Sequence, residues 1–140
     1  MPMKRTVILL FLALIPFASA IAQQDLSGRF LFRVVAESET HRAALAKLVR
    51  GRGGIPNWVR NMISRDNYVA LASEAVEVAG TPMELFRACQ PKNCPDSEIR
   101  VLFSADGKRV VMLIRDTKAG EQLLGEPSEA EQAVLTPPLP

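Results

Sequence analysis

Cys89-Gln90-Pro91-Lys92-Asn93-Cys94, followed by Pro95, decides how the chain is read, because an apolar strand pattern leads into it and another leads out. These are the two cysteines of the chain, and they bracket four residues that include a proline. Paired, they close a short, rigid loop. Such closure restricts the unfolded chain by about 2 kcal/mol on a loop-entropy estimate and requires a sharp turn of the backbone, which Pro91 and Asn93 favour. On the N-terminal side, Ala75-Val76-Glu77-Val78-Ala79 alternates as a strand does, Gly80-Thr81-Pro82 breaks it, and Met83 to Ala88 runs extended into Cys89. On the C-terminal side, Ile99 to Phe103 and Val110 to Ile114 read as two strands around the hairpin turn Asp106-Gly107. Ile99, Val101 and Phe103 point one way with Leu102 opposed; Val110, Met112 and Ile114 oppose Val111 and Leu113. A sheet that is apolar on both faces needs helices or other chain on each. The expected fold is therefore α+β, an antiparallel β-sheet flanked by helices, with a protruding disulfide-closed loop.

Whether the cysteines stay paired depends on the compartment, and the first 22 residues point to export. Lys4 and Arg5 form a charged start, Val7 to Phe17 is a nearly unbroken apolar run, and Ala18-Ser19-Ala20 and Ala20-Ile21-Ala22 are small-residue cut sites. The run is short for a membrane span of about 20 residues, and its flanks are those of a cleavable secretory signal, with cleavage expected after Ala22. No cysteine stands at either cut site to accept a lipid anchor. Residues 23–140 then form a single domain in an oxidising compartment, where Cys89 and Cys94 form a disulfide. Two cysteines and the distant His41 fall short of the four ligands of a structural zinc site, and a redox-active pair usually has two intervening residues rather than four.

Loss of Lys4 and Arg5 leaves 15 basic against 15 acidic residues. A chain so balanced does not bind nucleic acid or anionic membrane by its overall field.

Helical spacing is clearest after Ser38, where Ala44, Leu45, Leu48 and Val49 form a stripe, Arg42, Lys47 and Arg50 face away, and Gly51 can end the helix. His41 sits at the edge of that stripe with no partner evident in the sequence, and it is assigned no chemistry. Phe30 to Val35 is too short for periodicity to choose between helix and strand. Arg50, Arg52, Arg60 and Arg65 read as a solvated basic surface, and Trp58, just after Pro56, reads as a ring closing off the core. Ser128 and Glu131 have capping-box spacing ahead of Ala130, Ala133, Val134 and Leu135, and the proline-rich stretch over 136–140 is expected to be a loose tail.

No catalytic set emerges: the single histidine lacks a carboxylate partner, no glycine-rich phosphate loop follows a strand, and the carboxylates are scattered. An enzyme is not expected, nor a cofactor or a metal. A constrained loop on a sheet is suited to insertion into a partner's cleft, since a pre-ordered loop loses little entropy on binding.

The order of these pieces, from the Ser38 helix through Ile55-Pro56-Asn57-Trp58-Val59 to Cys89-Gln90-Pro91-Lys92-Asn93-Cys94 and the Ile99 to Ile114 hairpin, resembles the inhibitor of vertebrate lysozyme (Ivy) family of Gram-negative periplasmic proteins. The resemblance implies a periplasmic protein that inserts the loop residues Gln90, Pro91, Lys92 and Asn93, tied by the Cys89–Cys94 disulfide, into the active-site cleft of chicken-type lysozyme or another muramidase. The family loop usually reads Cys-Lys-Pro-His-Asn/Asp-Cys, its histidine meeting the catalytic carboxylates. Here Cys89, Pro91, Asn93 and Cys94 match, Gln90 stands in place of the lysine, and Lys92 in place of the histidine. An ammonium beside two carboxylates gains charge-assisted hydrogen bonds and favours their ionised forms, removing the acid such an enzyme needs. The other reading is a periplasmic binding or folding-support protein, or a regulator of endogenous lytic transglycosylases, that keeps the scaffold without lysozyme inhibition. The sequence leaves monomer and homodimer both open.

Overall fold

The apolar segments on either side of Asp106-Gly107 are the centre of a six-stranded antiparallel sheet in a computed structural model that describes residues 25–137. The expected signal over 1–22 and the last residues of the tail, 138–140, lie outside the described residues. The strands are β1 (Val69–Ala70), β2 (Glu74–Val78), β3 (Thr81–Cys89), β4 (Ser97–Ser104), β5 (Val110–Asp116) and β6 (Gly120–Leu124). Their order is β1-β3-β4-β5-β6, with β2 also on β3. Helices α1 (Leu31–Glu37), α2 (Glu39–Val49) and α3 (Asn57–Asn61) precede the sheet, and α4 (Glu129–Leu135) follows it. Among the described residues, no helix is long and apolar enough to cross a membrane.

Both faces are covered, as the two-sided apolar pattern requires. Ile99, Val101 and Phe103 of β4, with Met112 and Ile114 of β5, pack against Leu31, Val34, Leu45, Val49 and Val59 of α1 to α3. Leu102, Val111 and Leu113 face the other way and meet Leu135 of α4. Each fully buried leucine of this kind contributes about 1.5–3 kcal/mol. The second cover is narrower than the spacing implied, because Ala133 is exposed and the contact falls to Ala130, Val134 and Leu135. The capping box forms as expected: Ser128 Oγ accepts from the Glu131 N–H and the Glu131 carboxylate from the Ser128 N–H. The Glu131 carboxylate is also gripped by Arg109 at 2.7 and 2.6 Å. At the far end of α4, Arg100 donates to the Leu135 and Pro137 carbonyls and Arg115 to that of Thr136. Thr136 and Pro137 make these contacts, and the remaining residues of the expected tail lie outside the described residues.

Two local readings change. Phe30 to Val35 belongs mostly to α1, whose Leu31, Val34 and Val35 are buried at helical spacing. The break expected at Gly80-Thr81-Pro82 falls instead at Ala79-Gly80, both at positive φ (49° and 79°), and Thr81 and Pro82 already belong to β3 opposite Val78 and Glu77. That is the backbone of a two-residue hairpin turn. Trp58 is half-buried and packs against the core as expected, with Val59 and Met62 the more deeply buried residues beside it.

His41 is buried deeper than the edge of a stripe. It tilts against Phe103 at 4.8 Å between ring centroids, and Ser38 Oγ lies 2.7 Å from Nδ1. A Cβ at Gly107, whose φ is +74°, would come within 2.4 Å of the imidazole, so the hairpin turn needs glycine for packing as well as for backbone freedom. Burial, and secondarily the charge of Arg29, push the His41 pKa down; Glu84 and Asp106 oppose this. The fold therefore holds the neutral ring, while the unfolded chain takes up a proton below about pH 6.5. Stability should fall as pH drops through that value. Glu131, whose pKa the Arg109 hydrogen bond lowers, adds a second loss below about 4.5. Urea unfolding as a function of pH should show the upper step, and His41→Gln should abolish it while leaving the lower one.

Candidate functional site

The loop between β3 and β4 is built on the last strand pair, Ala88 opposite Ile99. Cys89 closes on Cys94 across a Cα–Cα distance of 5.0 Å, confirming the pairing. Within the ring, the Asn93 N–H donates to the Gln90 carbonyl at 3.0 Å, with Pro91 and Lys92 between them and Lys92 at φ +63°. Proline followed by a residue of positive φ is the signature of a type II turn. Glycine is the usual occupant of that second position, and lysine there is strained. The turn is held from below: Ser97, 2% exposed, accepts from the Gln90 N–H at 3.0 Å and donates to the Asn93 carbonyl at 2.7 Å. Cys94–Asp96 forms a single 3-10 turn, and the Thr117 N–H donates to the Asp96 carbonyl, joining the loop to the β5–β6 turn.

The four loop residues nominated from the sequence separate into two roles. Gln90 and Asn93 are half-buried and hydrogen-bond to each other, Asn93 Nδ2 donating to Gln90 Oε1 at 3.1 Å, and Pro91 is half-buried too. They shape the turn. Lys92 alone of the four is exposed, and no ion pair within the described residues engages it. Ser97 escaped the sequence reading because a serine after Cys-Pro-Asp carries no signal of its own. Ser97→Ala should cost about 1–3 kcal/mol by stranding the Gln90 N–H and the Asn93 carbonyl. Hydrogen exchange should show faster exchange confined to residues 90–93 and the adjoining strand ends.

The surroundings of the ring are asymmetric. On one side Val69 and Leu71, 45% and 57% exposed, form an apolar shelf with Ala88 and the disulfide. On the other is a charged groove in which Arg115 bridges Glu98 at 3.6 Å and Glu121 at 2.9 Å. Among the described residues, no group of three or more His, Cys, Asp or Glu is placed to hold a metal ion. No protein-family model matches the chain, and no curated protein matches it in sequence.

Proposed function

We propose that this is an exported, periplasmic inhibitor that inserts its disulfide-closed loop into the active-site cleft of a muramidase, of which chicken-type lysozyme is the first choice. The observation that carries the reading is the exposed Lys92 at the apex of a turn whose other three residues serve to hold it. The ammonium would sit between the acid and its carboxylate partner, where it gains charge-assisted hydrogen bonds and opposes the protonation that glycoside cleavage requires. A protruding loop, the periplasmic location and the absence of any catalytic role for the chain belong to the same proposal. The bridge and the Ser97 hydrogen bonds support it physically, because a flexible lysine on a flexible loop would lose too much entropy on binding. The apolar shelf at Val69 and Leu71 offers the rim of such a cleft a surface to rest on.

Titration calorimetry of residues 23–140 against chicken-type lysozyme, with and without a chitin oligosaccharide filling the enzyme's cleft, tests the insertion. One-to-one binding that the sugar competes away is the expected result. Binding that the sugar leaves unchanged, or no binding at all, overturns cleft insertion into this enzyme and directs the search to endogenous transglycosylases and other periplasmic partners.

A further inference from the structure

Residues 40–65 contain six basic residues and no acidic one, in a chain whose overall charge is close to balance. The fold joins part of this run to a distant turn. Lys47 at the end of α2, Arg52 in the glycine-rich loop after it, and Lys108 beside the β4–β5 turn line one cleft together with Gly125 and Glu126. Seven arginines among the described residues are ion-paired, six of them elsewhere and the seventh, Arg109, lining this cleft but held by Glu131. Lys47, Arg52 and Lys108 make no ion pair within the described residues, although Glu126 shares the cleft with them.

Arg52 is also oriented in advance. Its Nε donates to the Leu48 carbonyl at 2.7 Å, which satisfies an open end of α2 and leaves both terminal nitrogens without a hydrogen bond inside the described residues. The loop that carries it is held at two points, by Arg60 donating to the Arg52 carbonyl at 2.7 Å and by Gln122 donating to the Gly54 carbonyl at 2.9 Å. Gly125 lies so close to Val110 that a Cβ would meet its carbonyl oxygen at 2.7 Å, so this part of the lining has no room for a side chain. A pre-oriented guanidinium fork with two ammonium groups lining the same cleft suits a tetrahedral oxyanion, with the fork giving two parallel hydrogen bonds and the lysines giving charge.

We propose that this cleft binds phosphate-bearing ligands, with Arg52 as the bidentate contact and Lys47 and Lys108 flanking it. The site is independent of the loop and of its target, and Lys92 takes no part in it. It also refines the inference from net charge: overall neutrality excludes binding by a global field, whereas a local cluster of unpaired cations acts within a Debye length of about 8–10 Å. No aromatic side chain lines the cleft, so a stacking platform for nucleic-acid bases is missing there. The ligand is a phosphomonoester or phosphodiester, either a lipid headgroup or a soluble phosphoester.

The test uses the 15N-labelled mature chain titrated with inorganic phosphate, with chloride at matched ionic strength as control, alongside sedimentation with phosphatidylcholine vesicles that contain or lack phosphatidylglycerol. Saturable shifts at the amides of 51–54, 108–109 and 125–126, weakened about tenfold in an Arg52→Gln, Lys108→Gln double variant of unchanged thermal midpoint, are expected from loss of the charged contacts. Sedimentation with the phosphatidylglycerol vesicles alone, abolished in the double variant, assigns the ligand to a lipid headgroup. Phosphate shifts without vesicle binding assign it to a soluble phosphoester. The proposal is overturned if neither probe binds, or if binding is undiminished in the double variant.

Discussion

Lys92→Ala is expected to weaken inhibition of chicken-type lysozyme about tenfold to a hundredfold while leaving the thermal midpoint of the protein unchanged. The range follows from losing one hydrogen bond between an ammonium and a carboxylate, about 1.5–3 kcal/mol once desolvated. The fold should not notice, because the Lys92 side chain is exposed and alanine meets the same left-handed backbone with no better or worse fit. Lys92→Gly separates two effects that the alanine variant mixes. Glycine removes the charge and relieves the positive φ, so the protein should become slightly more stable while inhibition is still lost. Lys92→His tests the resemblance directly, since an imidazole at this position should inhibit at least as well as lysine. Inhibition that survives Lys92→Ala would show that the turn is a bystander.

The largest effect on stability is expected from Arg100→Ala, about 3–5 kcal/mol, the usual consequence of removing one partner from a buried charged network. Arg100 points to the α4 side of the sheet with its side chain 2% exposed, and it holds Glu98 at 2.7 Å as well as the Leu135 and Pro137 carbonyls. Without it the Leu135 carbonyl loses that donor, the Pro137 carbonyl keeps only Arg115 at 3.3 Å, Glu98 keeps only the longer contact to Arg115 at 3.6 Å, and α4 is left with Arg109–Glu131 at its start and Arg115 at its end. Arg100→Met should recover part of the loss by filling the volume. Urea unfolding measures both, and a cost below about 1 kcal/mol for the alanine variant would mean that α4 is held by Leu135 packing alone.

Arg100 also shows where a sequence reading stops. The alternation of β4 was legible at Ile99, Val101, Leu102 and Phe103, and the need for cover on both faces followed from it. An arginine in the same strand reads as the exposed side, because charged residues are seldom buried unless paired. The pairing partners, carbonyls more than thirty residues away, have no local signature. β6 went unread for a related reason: Gly120–Leu124 is short, and of its residues only Leu124 is buried. The same limit applies to α1, whose seven residues span about two turns.

The disulfide ring was legible because two cysteines five positions apart fit neither a zinc site nor the usual redox pair, and proline with asparagine between them specifies a turn. What could not be read was the division of labour inside the ring. Gln90 and Asn93 were nominated together with Pro91 and Lys92 as the inhibitory loop, and their hydrogen bond to each other has no signature in the sequence. The cationic cleft was hidden in a different way. Lys47 and Arg52 lie within a stretch that reads as solvated surface, and Lys108 joins them only through the hairpin that Asp106-Gly107 turns.

Hydrolysis of bacterial cell walls by chicken-type lysozyme, titrated with residues 23–140 first oxidised and then reduced, asks whether a tied loop presenting Lys92 blocks a muramidase. Stoichiometric inhibition by the oxidised protein that falls on reduction is expected, as the turn loses its bridge and Lys92 its fixed position. Absence of inhibition in the oxidised state, or inhibition unaffected by opening the Cys89–Cys94 bond, would contradict this mechanism.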